Sequence, residues 1–165
     1  MPLIPAQSKT PCRIALIGIG HPFLSDDQAG LLVVRSIKKE LPAKLAELVL
    51  CIEAGSNPEN FLGPITRFAP DHMLLIDAVL SNQVPGSVLQ LDWQPGMNLD
   101  YQPFSLPLDK FCQFIHTETK CTISIIGIQA AKVSYGSQVS QDVEEAIEII
   151  KHQLISELVL RSNNI

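Results

Sequence analysis

Residues 13–37 read "RIALIGIGHPFLSDDQAGLLVVRSI". The run Arg13–Ile19 is apolar on both alternations, which predicts a strand buried on both faces. Gly18-Ile19-Gly20 then marks a turn. From Asp26 to Leu41 the apolar residues Leu31, Val34, Ile37 and Leu41 recur at helical spacing. Ser25 is placed to cap this helix, and Pro42 follows its end. A buried strand feeding directly into an amphipathic helix is the start of a parallel α/β sheet.

The same alternation continues outward. Residues 45–53 ("LAELVLCIE") and 72–79 ("HMLLIDAV") read as buried strands. Between them, "NPENFLGPITRFA" (57–69) begins with a capping Asn and a first-turn Pro, which predicts a short helix. "PGSVLQLDW" (85–93) opens on a turn and alternates, as an exposed edge strand does. Residues 94–107 hold three prolines and little periodicity, which predicts a long loop of the kind that serves function. A helix over 108–116, a strand over 121–129 and a helix over 140–160 complete the pattern. Residues 1–12 read as a flexible N-terminal tail and 13–165 as one domain. The expected fold is three-layer α/β/α and phosphorylase/hydrolase-like. Its sheet has about five twisted strands, mostly parallel, with one antiparallel edge strand.

Composition narrows the function. Apolar residues make up 46% of the chain and charged residues 18%, enough for a real core. The formal charge is −5, with Lys and Arg scattered, so no nucleic-acid partner is expected. No apolar run reaches the roughly 18–20 residues of a membrane span. The first residues lack the basic and apolar parts of an export signal, so the cytoplasm is the expected compartment. Cys12, Cys51, Cys112 and Cys121 are widely spaced, which argues against a disulfide framework or a zinc site of paired cysteines.

Ligands of open parallel sheets bind beyond the carboxyl ends of the strands. The segments to read for chemistry are therefore 18–27, 53–59, 77–82 and 127–136. Gly18-Ile19-Gly20 suggests a dinucleotide loop, but the third glycine of that motif is Phe23. Asp26 and Asp27 would also repel a phosphate at this helix start. No phosphate loop of the GxxxxGK type occurs, and Ser56 lacks the glycines of a nucleophile elbow.

Carboxylates remain. Asp27 opens the first helix and Asp77 closes the third strand, 77 − 27 = 50 residues later. Both fall on one edge of a parallel sheet, with Glu53 beside them at the end of the second strand. Such hard oxygens, joined by an imidazole, suit a divalent metal. Each aspartate also has a plain reading, since an acid at a helix start gains about 0.3–1 kcal/mol from the dipole. Asp26 is the better fit to that capping or loop-ordering role.

At these residues the sequence resembles the NiFe-hydrogenase maturation endopeptidases. The family's strand and G-x-G-N-x-x-x-x-D-D/E-G motif stands here as Gly18-Ile19-Gly20-His21 through Asp26-Asp27 to Gly30. Its D-G-G after the second strand is Glu53-Ala54-Gly55, followed by Ser56-Asn57-Pro58-Glu59-Asn60 as in the formate-hydrogenlyase branch. Its D-A pair is Asp77-Ala78, its P-G turn Pro85-Gly86, and its late strand ends in Gly127-Ile128-Gln129.

The resemblance implies an endopeptidase that trims the C-terminal extension of a hydrogenase large-subunit precursor once nickel is in place. Asp27 and Asp77 would be the catalytic, metal-contacting acids, and Glu53, Gly55 and Ser56 would meet the substrate. The implied metal is Ni, which the substrate itself could bring, with Zn or Cd able to substitute. A monomer in the cytoplasm, with no membrane partner, is the expected form.

The family's third ligand, a histidine, corresponds to Phe104, which cannot ligate. His72 opens its strand about 16 Å from Asp77, at the wrong edge, and His116 and His152 sit late in their helices. His21 alone shares a loop with Asp27, as a replacement ligand or as a plain loop residue. Glu53 or Asp26 is available as proton acceptor, and Glu53 could equally be a strand-end residue bonding nearby backbone. The competing reading is a non-catalytic member that binds a peptide tail or nickel without cutting it.

Overall fold

In the computed structural model, which describes residues 1–7, 9–99, 107–136 and 138–163, five strands form one sheet in the order β2-β1-β3-β5-β4. The strands are β1 (Ile14–Ile19), β2 (Val49–Gly55), β3 (His72–Val79), β4 (Val88–Trp93) and β5 (Thr122–Gln129). β1 pairs in parallel with β2 and β3, and β3 with β5. β4 alone is antiparallel, along β5 at the sheet edge.

The helices are α1 (Ala29–Glu40), α2 (Leu62–Phe68), α3 (Asp109–Thr119) and α4 (Gln141–Ser162). The expected architecture is therefore the one observed, with shifted boundaries. The second strand starts at Val49 because Ala43–Leu45 winds into a 3-10 turn first.

Alternation divides the core into two layers. Leu16, Leu74, Ile76, Ile126 and Ile128 face α1 and α4. Ile17, Met73, Leu75, Ile123 and Ile125 face the α3 side with Phe111 and Ile115. On α4, Val143, Ile147, Ile150, Leu154 and Leu158 are all buried, as their spacing predicts. Each contributes about 1.5–3 kcal/mol by leaving water.

The first residues are not a loose lead-in. Leu3 and Ile4 are buried, and their N–H groups donate to the Glu157 carboxylate of α4, each at 2.9 Å.

β3 is buried along its whole length. Its only polar residues are His72 at the amino end and Asp77 toward the carboxyl end. Burying such groups is costly unless something answers them, so each end of β3 is a place where chemistry is expected.

Candidate functional site

The carboxyl edge of the sheet is shaped by close backbone approach. Gly20 has φ +142°, and a Cβ there would stand 1.9 Å from the Asp27 carbonyl oxygen. At Gly30 a Cβ would stand 2.1 Å from the Ile76 carbonyl oxygen and 2.5 Å from that of Ile19. Only glycine lets the chain fold back so tightly. The consequence is that the segment carrying Asp27 is pressed onto the ends of β1 and β3.

That segment is not the expected capped α-helix. Ser25–Gln28 forms a 3-10 turn, and the α-helix proper starts at Ala29. Ser25 adopts φ +45° and makes no cap. Its hydroxyl instead donates to the Ser134 carbonyl at 2.8 Å, and its N–H to the Gly136 carbonyl at 2.7 Å. Tertiary contact with the β5–α4 connection outcompetes the local cap.

Asp27 is half-buried in this turn. Its Oδ2 accepts the His21 N–H at 2.9 Å, which orients the carboxylate within the loop. Asp77 is fully buried and pairs in register with Gly127 of β5. Gly18 of β1 faces Ile76 of β3, so Asp77 lies one residue beyond the last paired position. The 3-10 turn packs against β3. Asp77 thus lies toward the carboxyl end of β3, and Asp27 lies in the turn that follows β1 and packs on β3, beyond the sheet edge where the topology predicts a ligand site.

Asp26 is fully buried and does structural work. Its carboxylate accepts N–H groups from Ala131 at 2.8 Å, Lys132 at 2.9 Å and Ser140 at 2.7 Å. Burial pushes its pKa up, but the three backbone donors and the Ser140 hydroxyl outweigh that and hold it below the usual value. The expected loop-ordering role is met by bonding across the fold. The sequence gives no local signal for the partners, which lie more than a hundred residues away.

The other named residues separate into distinct roles. Glu53 is gripped by Arg35 of α1, at 2.9 Å from Nε and 2.7 Å from Nη2. It is a strand-end residue whose partner is a side chain rather than the backbone, and it is not poised as a base. Asp26, with its oxygens committed to backbone donors, is not poised as one either. Gly55 (φ +64°) accepts the Gly20 N–H at 3.1 Å, joining the end of β2 to the Asp27 loop, and Ser56 is exposed.

His21 turns its Nδ1 to the Phe23 N–H at 3.2 Å and packs edgewise on the Phe23 ring. Among the described residues no three His, Cys, Asp or Glu side chains form a group able to hold a metal. His21, Asp27 and Asp77 therefore do not make a complete ligand trio, and His21 is engaged in loop geometry. Phe104 lies outside the described residues.

His72 is at the opposite edge, His116 Nδ1 sits 2.9 Å from the Cys121 carbonyl, and His152 lies 3.5 Å from Glu148. Among the described residues no helix is long and apolar enough to cross a membrane.

The fold recurs in known proteins. A crystal structure of a hydrogenase maturation protease, HycI, from Thermococcus kodakarensis superposes with a TM-score of 0.80 at 27% identity, covering 89% of this chain and 92% of that one. The solution structure of the Escherichia coli endopeptidase HycI matches with a TM-score of 0.74 at 21% identity, over 87% and 90% of the two chains. A relative from Methanocaldococcus jannaschii is 23% identical over 152 residues, 89% of this chain and 86% of its own. The family model HycI, hydrogenase maturation protease, matches residues 31–157, a span that contains Asp77 and begins just after the Asp27 turn. The chain belongs to the hydrogenase maturation protease family, a family of peptide hydrolases.

Proposed function

We propose that this protein removes the C-terminal extension of a NiFe-hydrogenase large-subunit precursor after nickel insertion, with the nickel of the precursor taking part. It acts in the cytoplasm as a monomer. The observation that supports the reading is the pair formed by Asp27, in the turn that follows β1 and packs on β3, and Asp77, toward the carboxyl end of β3, in a chain of this family. An incoming ion would already hold ligands from the precursor and would need only these two acids to be seated. Zn or Cd would fill the same oxygen sites.

The ion supplies Lewis acidity, polarising the scissile carbonyl and acidifying a water. Asp27 and Asp77 set where the ion sits relative to the bond to be cut. Glu53 is paired with Arg35 and Asp26 with three N–H groups, so the water's proton would pass to a carboxylate oxygen of Asp27 or Asp77 that the ion leaves free. Gly55 and Ser56, in the turn after β2, would line the path of the extension. No basic patch competes for an anionic polymer, which fits a protein substrate.

The test is incubation with nickel-loaded precursor and mass spectrometry of the products. Release of a short C-terminal peptide, absent with nickel-free precursor, supports the proposal. Stable complex formation without any released peptide supports the non-catalytic reading, in which the crevice holds the tail only.

A further inference from the structure

Proteolysis uses the carboxyl end of β3 and leaves the amino end unexplained. His72 is fully buried there. Its Nδ1 lies 2.7 Å from the Thr122 hydroxyl. That hydroxyl donates to the Asp71 carbonyl at 3.4 Å and accepts from the Gln7 amide at 3.3 Å. The 2.7 Å bond between Thr122 and Nδ1 runs in either direction according to the tautomer, and Nε2 keeps one hydrogen-bonding site of its own. Burial lowers the His72 pKa to about 4, against an opposing pull from Asp92, so the ring is neutral.

His72 Nε2 is buried with no hydrogen-bond partner among the described residues, and so is Trp93 Nε1. Such orphans are costly unless something answers them. Both residues line a cavity of about 380 Å³ where the amino ends of β3 and β5 meet the last residues of β4. Asp92, Ser124, His116 and Gln94 line it too, and the Ser124 hydroxyl donates to Asp92 Oδ1 at 2.7 Å. The size is within the range of small-molecule pockets.

The chemistry of the wall selects the occupant. No Lys or Arg lines the cavity and one carboxylate does, so an anion would be repelled. His72 Nε2 requires a donor or an acceptor according to its tautomer, and the indole N–H of Trp93 requires an acceptor. A hydroxyl group is both donor and acceptor. We propose that this cavity is a second binding site, separate from the carboxylate edge, for a small neutral polyol. Its hydroxyls hydrogen-bond His72 Nε2 and accept from Trp93 Nε1.

Trp93 is the chain's one tryptophan, so its indole signal reports on this cavity alone. The full-length protein is titrated with glycerol and, separately, with ribose. The Trp93 indole N–H resonance and the His72 imidazole nitrogens are followed by NMR. The expected result is saturable displacement of both signals, weakened at least tenfold in His72→Phe. Should that variant not fold, the wild-type His72 Nε2 shift decides, since a new hydrogen-bond partner must move it. Linear drift, saturation that His72→Phe leaves unchanged, or orphans answered by ordered water only would overturn the site.

Discussion

Asp26 Oδ1 accepts the N–H of Ser140 at 2.7 Å, joining the turn after β1 to the start of α4 across 114 residues of chain. Because Asp26 adjoins Asp27, this bond fixes the backbone from which a proposed catalytic acid projects. Asp26→Asn keeps the shape but removes the charge and turns an amide N–H toward one backbone donor. The loss is about 1.5–3 kcal/mol, the worth of hydrogen bonds to a charged group. Urea denaturation checks it, and an unchanged midpoint would contradict the role.

The same carboxylate makes a pH prediction. Its folded pKa is held below the ordinary value of 3.8. Its contribution is therefore fully present above that value and is lost as the pH falls below it, through the folded pKa. Asp26→Asn flattens this acid limb. Thermal melts of both proteins between about pH 5 and 2 measure the difference.

His72 acts in the same direction, at higher pH. Its pKa falls from 6.5 to about 4 on folding. The unfolded chain thus binds the extra proton first, and stability declines as the pH drops from 6.5 to about 4. The full penalty is on the order of 3 kcal/mol. His72→Phe should remove the decline in that window, as read by denaturation at stepped pH.

A methyl group at Gly20 meets the Asp27 carbonyl. Gly20→Ala must push the turn outward, at a cost of roughly 1–3 kcal/mol for the strained backbone, and it displaces Asp27. Precursor cleavage should fall with it. Glu53→Gln is the contrast. The Arg35–Glu53 pair is partly exposed, so its loss should cost under about 1 kcal/mol and leave cleavage nearly intact. A large loss of cleavage in Glu53→Gln would return that residue to the chemistry.

The parts of this molecule that depend on periodicity were legible from the chain alone. Continuous apolar runs mark the buried parallel strands, alternation marks β4, and the five apolar positions of α4 all face the core. The placement of Asp27 and Asp77 toward one edge of the sheet was legible because topology puts the carboxyl ends of parallel strands there. Contacts made over long sequence separation were not. Ser25 looks like a cap and instead bonds Ser134, and Glu53 looks like a candidate base and is held by Arg35. The 131–140 segment offers no charged motif, yet its N–H groups hold Asp26. Leu3 and Ile4 sit in a proline-rich stretch whose docking on α4 depends on Glu157, at the far end of the chain.

Single-turnover cleavage of nickel-loaded precursor by Asp27→Asn and Asp77→Asn decides whether the two acids share the ion. Each variant, first shown to be folded by its thermal melt, should cut at least about 100-fold more slowly than the wild type. Cleavage at the wild-type rate by either folded variant would contradict the two-carboxylate site.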